Sequence, residues 1–408
     1  MRVLFVNPGA GLGGSERSLL DLLASLRDSG LPVEPKLVLF EDGALAVEAR
    51  RLGVEVDVLP LPRALADLGE SAEEGREAGR TFEVLRSAAT TIPFALRFRR
   101  LARSHRPDIV HTNGMKAHLL AAVALSNHPR VVHLRDFVSE RPMSRRLLSI
   151  VRRRAVVVTN SKAVEADALG VDPKLRTRVV YNGIDLEAFR PRPRELAQLA
   201  ALSGLDEPPP DAVVVGLVAT YAWWKGHKTF IDAAARVRAA LPERPLRFYV
   251  VGGPVYRTAG SQVTESELRD AIERLGLARD VGLVPFQSDV ARVYQGLDVV
   301  VHASERPEPF GRTIVEAMAS GRAVVVARAG GAVELFTEGQ SGLGFRPGEA
   351  LDLTRAISEL VCDEALRARL ASSARVEAET RFGRARLASE ILGVYRELVE
   401  SLGVSRAP

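Results

Sequence analysis

Short runs of aliphatic residues, each closed by glycine, proline or a polar pair, alternate along this chain with longer stretches in which leucine and alanine recur every three or four positions. Runs that do not alternate faces predict strands buried on both sides, and the longer periodicity predicts helices with one buried face. In the first half the predicted strands are Arg2 to Asn7, Pro35 to Phe40, Val54 to Leu59, Pro107 to Asn113 (running into a loop), Arg130 to Leu134, Ala155 to Asn160 and Arg178 to Tyr181. Helices fall at Ser15 to Asp28, around Ala44 to Arg51, and near Thr81 to His105, the last with a break at Pro93. Pro60 to Arg80 is weakly patterned and reads as a loop or short helices. The second half repeats the scheme, with strands at Val213 to Ala219, Leu246 to Val251, Val281 to Val284, Asp298 to Val301 and Ala323 to Ala327. Its helices are Thr229 to Leu241, Thr313 to Ser320, Glu349 to Val361, Ala365 to Ala378 and Arg384 to Leu402.

Strand and helix in steady alternation is the order of an α/β chain with parallel sheets. At 408 residues the chain has room for two or three domains, each with its own core. Arg190 to Asp211 is rich in proline, arginine and small residues and ends in Pro208, Pro209 and Pro210, the composition of a linker. The expected domains are residues 1–188 and 212–383, with a linker at 189–211.

Composition changes this picture little: 46% hydrophobic and 26% charged residues are ordinary for an α/β protein. No apolar run approaches the roughly 18 to 20 residues that span a bilayer. Met1 leads directly into a strand, so no signal peptide is expected and the reading is cytoplasmic. Cys362, the single cysteine, excludes a disulfide framework and a Cys-rich metal site; in the helical ELVCDEAL it is expected to be a buried structural thiol. Charge is more informative. Residues 84–154 hold 15 Lys or Arg against 3 Asp or Glu, within a chain whose net charge is only +5. The basic residues cluster in LRFRRLARSHR (Leu96 to Arg106) and RPMSRRLLSIVRRR (Arg141 to Arg154), interleaved with apolar residues at helical spacing. Two solvated helix faces account for this as well as attraction to an anionic membrane or a phosphorylated acceptor does.

The stretch His302 to Glu334 carries the densest candidate chemistry. Strand, Pro-rich loop, helix and strand make a βαβ unit, whose loop lies at the carboxyl end of the sheet. Glu308 in the loop and Glu316 in the helix are eight positions apart. Between them Phe310, Gly311, Arg312 and Thr313 carry backbone N–H groups that no earlier helical turn can satisfy, a seat for phosphate at the positive end of the helix dipole. Acids on either side of that seat suit hydroxyls, and the whole describes a nucleotide sugar. Other strand ends carry further candidates. Gly9, Gly11 and Gly14 match the dinucleotide fingerprint, but the acid expected roughly 20 residues on is missing. His111 and Asn113 emerge after one strand, and Arg135 and Asp136 after the next, where they could hold an acceptor or pair with each other. Gly253 ends a strand in a turn that permits close approach of substrate.

EPFGRTIVE followed by AMASG, Glu308 to Gly321, resembles the E-x7-E signature of retaining GT-B glycosyltransferases, family 4 in particular. Lys225-Gly226 resembles that family's K-G element, and Gly13-Gly14 its Gly-Gly loop near the donor phosphate and acceptor. Asp108 to His111 resembles the segment whose histidine meets the transferred sugar, Asn182 to Asp185 the inter-domain turn, and Val281 to Phe286 the base-binding edge, where Phe286 could equally be core. The resemblance implies an α/β fold of GT-B type, two Rossmann-like domains with parallel sheets facing across a cleft, the helix at 384–405 crossing back to the first domain. It implies Lys225 and the amides of Gly311 to Thr313 on the diphosphate, Glu316 on the ribose and Glu308 on the hexose, with His111 contacting the sugar. Where the family commonly has an arginine five residues before the lysine, this chain has Thr220, so either Lys225 carries the phosphates with backbone help or Arg312 or Arg135 substitutes.

The implied function is a retaining hexosyltransferase that needs no metal and no cofactor, using a nucleotide sugar (UDP before GDP) and a hydroxyl acceptor. Asn113, Arg135 and Asp136 would line the acceptor side, in cell-surface or lipid-linked glycan synthesis, with no nucleic-acid partner. An epimerase or phosphorylase on a similar scaffold, or a non-catalytic sugar-nucleotide-binding subunit, are the alternatives.

Overall fold

The computed structural model describes residues 1–62, 80–141, 143–254 and 261–403, with the side chains of 80–90 set aside. It divides into two compact units, Met1–Gly183 with Arg384–Pro408, and Ile184–Gly383.

The first unit is built on a seven-stranded parallel sheet in the order β3-β2-β1-β4-β5-β6-β7. Its strands are β1 (Arg2–Asn7), β2 (Glu34–Leu39), β3 (Glu55–Val58), β4 (Ile109–Asn113), β5 (Arg130–Leu134), β6 (Ala155–Thr159) and β7 (Thr177–Val179). The near-continuous apolar runs are explained by helices on both faces. Val3 and Phe5 point to one side, where α1 (Gly14–Asp28) and α2 (Ala44–Arg51) pack. Leu4 and Val6 point to the other, against Phe94 and Phe98 of α3 (Arg80–His105) and Ala117 and Ala121 of α4 (Met115–Ala124). The same layer continues through α5 (Ser144–Val151) and α6 (Lys162–Val171) over Val132 and Val157. Pro93 does not break α3: it lies exposed within a continuous helix, its ring turned away from the sheet.

The terminal helix belongs to this unit. After a 3-10 turn at Arg384–Arg386, α14 (Leu387–Ser401) buries Ile391, Tyr395 and Leu398 beside α1. The Ala388 N–H donates to Ser25 Oγ at 3.0 Å, and Arg386 donates to the carbonyls of Tyr181 and Asn182.

The second unit has a six-stranded parallel sheet in the order β10-β9-β8-β11-β12-β13. These strands are β8 (Val213–Val218), β9 (Leu246–Gly252), β10 (Val281–Pro285), β11 (Val299–His302), β12 (Ala323–Ala327) and β13 (Leu343–Phe345). Helices α8 (His227–Ala240), α9 (Glu265–Arg274) and α12 (Ala350–Cys362) share one core with the sheet, while α11 (Arg312–Ala319) packs on α13 (Glu364–Phe382).

Two further expectations change. The stretch read as a linker at 189–211 lies within the second unit and carries α7 (Ala197–Ser203), whose buried Leu199 packs at Gly296. Arg194 pairs with Asp298 at 2.6 Å, so this proline-rich segment is tied down by its arginine. Cys362 is exposed, because the buried stripe of α12 runs through Leu353, Ile357, Leu360 and Val361 and the thiol falls one position off it. Residues 63–79 of the expected loop at Pro60 to Arg80 lie outside the described residues.

Candidate active site

In the second sheet the strand order reverses between β8 and β11, and ligands of open α/β sheets bind at the carboxyl ends beside such a reversal. The two loops there are the ones the candidate chemistry occupies. After β8 the chain makes a short 3-10 turn, Trp223–Lys225, and Gly226 turns it into α8. Gly226 holds φ +71°, and a Cβ there would run into the carbonyl oxygen of Ala303, so only glycine lets the two loops come this close. They are also pinned by hydrogen bonds. The Glu305 N–H donates to Trp224 O at 2.7 Å, and Thr229 Oγ1 donates to a Glu305 carboxylate oxygen at 2.6 Å.

The loop after β11 is fixed from its other side by the loop after β12. Glu308 and Gly330 form an isolated parallel bridge, and the Gly331 N–H donates to Glu308 O at 2.7 Å. The Glu308 side chain points back toward β8. Its Oε2 accepts from Lys225 Nζ at 2.6 Å and from Ser304 Oγ at 2.9 Å, and lies 3.3 Å from His302 Nε2. Burial alone would push this carboxyl up; the ammonium of Lys225 and the hydrogen bond of His302 outweigh it and hold Glu308 well below the ordinary carboxylate range.

The helix α11 starts immediately beyond. Gly311 is its N-cap at φ +102° with no side-chain cap, so the first-turn amides face outward from the helix end. One turn in, Glu316 is 4% exposed. One carboxylate oxygen lies 3.2 Å from Arg312, and the other accepts from Tyr294 Oη at 3.2 Å. Tyr294 is fully buried on α10 (Val290–Gln295) and also reaches the Thr313 carbonyl at 3.4 Å. Lys225, Glu308, the α11 amides and Glu316 therefore share one carboxyl edge: a cation, a row of N–H donors, and an acid on each side.

Other assigned residues in this unit divide. Thr220 lies on the loop after β8, its hydroxyl buried with no partner among the described residues. Gly253 directly follows β9, and a Cβ there would lie 3.3 Å from the Cβ of Phe286, which is 53% exposed and so not core. Phe310 is different from its expected role as a donor contact. Its ring is buried edge-on to Phe382 with centroids 6.1 Å apart, leaving only its backbone to the site.

In the first unit Gly13 caps α1 and Gly14 begins it. His111, expected to meet a sugar, does not reach the strand end. It lies within β4, in register with Phe5 and Val131, and is fully buried. Its Nδ1 lies 2.7 Å from Tyr395 Oη and its Nε2 3.1 Å from His133 Nδ1, so both ring nitrogens are used inside the core. The side chain at the strand end is Arg135, which donates to Asn113 Oδ1 at 3.2 Å and to Asn182 Oδ1 at 2.5 Å. Asp136 is exposed and pairs with Arg141 at 2.8 Å. A small crevice beside Arg135 is lined by Ser18, His133, Tyr181 and Asn182.

Sequence reasoning missed Tyr294, His302, Ser304 and Glu305. Tyr294 sits in an apolar helical run that reads as core, and only the fold brings its hydroxyl to Glu316. It also missed that Arg306 lies over the exposed Trp223 ring, 4.3 Å from the centroid.

Two family profiles match this chain: Glycosyltransferase Family 4 over residues 43–188 and Glycosyl transferases group 1 over residues 206–377. Among curated relatives, the D-inositol 3-phosphate glycosyltransferase of Stackebrandtia nassauensis is 33% identical over 63% of this chain and 57% of its own length. That of Corynebacterium urealyticum is 31% identical over 71% and 66%. The matched part thus spans about three fifths of these relatives. Among solved structures, HepE of Anabaena in complex with UDP and glucose has TM-score 0.78 and 28% identity, over 97% of this chain and 99% of its own. Sucrose-phosphate synthase of Thermosynechococcus elongatus shares the fold at TM-score 0.74 and 18% identity, over 98% and 100%.

Proposed function

The chain belongs to glycosyltransferase family 4, and from that premise we propose that it moves a hexosyl unit from a nucleoside-diphosphate sugar to a hydroxyl acceptor, with retention at the transferred carbon and without a metal. One observation carries the reading: Lys225, the start of α11 and the two acids Glu308 and Glu316 converge on one edge of the second sheet. The diphosphate lies against the Lys225 ammonium and the first amides of α11, where charge builds on the phosphate oxygen as its bond to the sugar carbon breaks. Glu316, its oxygens oriented by Arg312 and Tyr294, accepts from the ribose hydroxyls. Glu308 accepts from the hexose hydroxyls and gives up part of its hold on Lys225 as it does so. The acceptor oxygen bonds to the carbon on the face the diphosphate leaves, and its proton passes to the departing phosphate oxygen, so no second carboxylate acts as nucleophile. On the acceptor side Arg135 is the best-placed cation of the first unit, beside Asn113 and Asn182.

UDP is the favoured nucleotide; complexes of the related HepE with UDP and with UDP-glucose support that choice. The phosphorylated polyol named for the curated relatives supports an anionic acceptor, within cell-surface glycan or lipid-linked glycan synthesis. The test is a thermal-shift screen with UDP-, GDP- and ADP-sugars, followed by product analysis with the stabilising donor. Nucleoside diphosphate together with a glycosylated acceptor is the expected result. Isomerised donor alone, or binding without turnover across a wide acceptor panel, would overturn the reading.

A further inference from the structure

Six of the arginines that the sequence concentrates between 84 and 154 stand on one helical layer of the first unit. Helices α3, α4 and α5 pack side by side over one face of the sheet, through Phe94, Phe98, Ala121 and Leu148. Their outward surfaces are not simply polar. Ile92 and Leu96 on α3, Val123 on α4, and Met143 and Ile150 at α5 are 47–69% exposed. Among them stand Arg97, Arg99, Arg100 and Arg103 on α3 and Arg145 and Arg146 on α5, all exposed and without an ion pair among the described residues. Of the three acids between residues 84 and 154, Asp136 pairs with Arg141 and Asp108 accepts from the Arg2 amide, which leaves Glu140 without a partner among the described residues. On the opposite layer Glu48, Glu390 and Glu397 are exposed or half-buried, and each is matched by an arginine.

We propose that the outer surface of α3, α4 and α5 is a docking face for an anionic lipid bilayer, held at the interface rather than spanning it. Arginines without carboxylate partners seek an anionic surface, but that alone would suit nucleic acid or a polyanionic glycan equally. The exposed isoleucines, leucine and methionine decide among them. They gain nothing from a hydrated phosphate backbone, whereas apolar side chains beside arginine are what the headgroup boundary of a membrane accepts. Arginine's long stem lies along apolar surface while its head stays wet, so the two residue types work at one depth. No helix among the described residues is long and apolar enough to cross a membrane, in keeping with a face that rests on one. This inference is independent of the reading of the second unit's site, and the two fail separately: one is tested by donor binding, the other by lipid partition.

The experiment is vesicle flotation of the full chain, with phosphatidylcholine mixed with phosphatidylglycerol against phosphatidylcholine alone. Expected is flotation with the anionic vesicles only, weakening as salt screens the arginines. R97E/R100E and R145E/R146E should each lower the partition coefficient, roughly fivefold for every arginine removed. L96S/I150S should abolish the fraction that resists salt. Melting temperature and nucleotide-sugar binding, measured on the same variants, should match the parent. Equal flotation with neutral vesicles, no flotation at low salt, or tight retention on nucleic acid without vesicle binding would overturn the proposal. The wild-type comparison of the two vesicle types and its salt dependence stand even if a variant fails to fold.

Discussion

Lys225 Nζ lies 2.6 Å from Glu308 Oε2, across 83 residues of sequence, so the two groups assigned to neighbouring parts of a donor are paired with each other. The pair sits at 18% and 16% side-chain exposure, with Ser304 and His302 completing the carboxylate's partners. It keeps Glu308 ionised and aims Lys225 along the sheet edge.

Removing the two partners should therefore have unequal consequences. Lys225→Met strands a buried carboxylate, and should cost about 2–4 kcal/mol of stability together with at least about a hundredfold in turnover. Glu308→Gln leaves an ammonium whose flexible stem can reach water, and should cost about 1 kcal/mol or less. Urea denaturation of both variants and the double variant measures this; equal losses that simply add would show the pair to be incidental.

Glu316 is the second acid, and its orientation depends on a residue from another helix. Glu316→Ala should lower donor affinity at least about tenfold, while Tyr294→Phe, which removes one hydrogen bond to a charged group, should lower it about five- to tenfold with little change in fold. The chain has only two tryptophans, Trp223 and Trp224, both on the turn before Lys225, so intrinsic fluorescence reads donor binding directly. An unchanged affinity in Glu316→Ala would remove this carboxylate from the site.

Gly226→Ala tests the contact between the two loops. A methyl group at φ +71° against the Ala303 carbonyl forces the turn apart, and with it Lys225 from Glu308. We expect a folded protein less stable by about 1–3 kcal/mol and turnover reduced together with the Lys225 variant's. Full activity in Gly226→Ala would show that the loops tolerate separation.

Acid should weaken the fold well before carboxylates matter. Burial, and then the charge of Lys225, holds His227 down to about 4; burial, and then Arg141, holds His118 down to about 3. His111 and His133 are also driven well below their ordinary value by burial and then Arg135. Each stays neutral when folded but takes a proton at 6.5 when unfolded, so its penalty is absent above that pH, grows below it, and is complete only below the folded value. His227 alone amounts to about 3 kcal/mol between those limits. Glu308 acts in the opposite sense: its contribution is present above the unfolded carboxylate value and is lost only at much lower pH, so it does not enter this window. The urea midpoint should fall steadily from about pH 7.5 to about pH 5, with His227→Leu flattening part of the slope. A midpoint independent of pH over that range would contradict neutral buried histidines.

How far the site could be read in advance differed between the two units. Glu308, Gly311, Arg312, Thr313 and Glu316 lie within nine consecutive positions, and a strand–loop–helix pattern places them at a sheet edge without help from distant residues. Lys225 also lies on a local strand–turn–helix stretch, between β8 and α8, but its assignment rests on the resemblance to the family's K-G element. His111 was misjudged because a side chain near the end of a strand was read as emerging at the sheet edge. β4 runs on to Asn113, and the side chain of His111 turns into a core closed by Tyr395, 284 residues away. Cys362 and the stretch at 189–211 failed for a related reason, since burial on a helix face or against a sheet depends on what packs there, not on local composition.

What the sequence determined by itself was the order of buried strands and amphipathic helices, the parallel sheets this order requires, and the acids and glycines at one strand end, because period and spacing are properties of neighbours along the chain. The tertiary structure decided which charged groups pair, that Tyr294 and Arg312 orient Glu316, that His111 is sealed inside, and that scattered arginines share one face. Those are relations between residues far apart in sequence, set when strands β1 and β4, or β8 and β11, come to lie side by side.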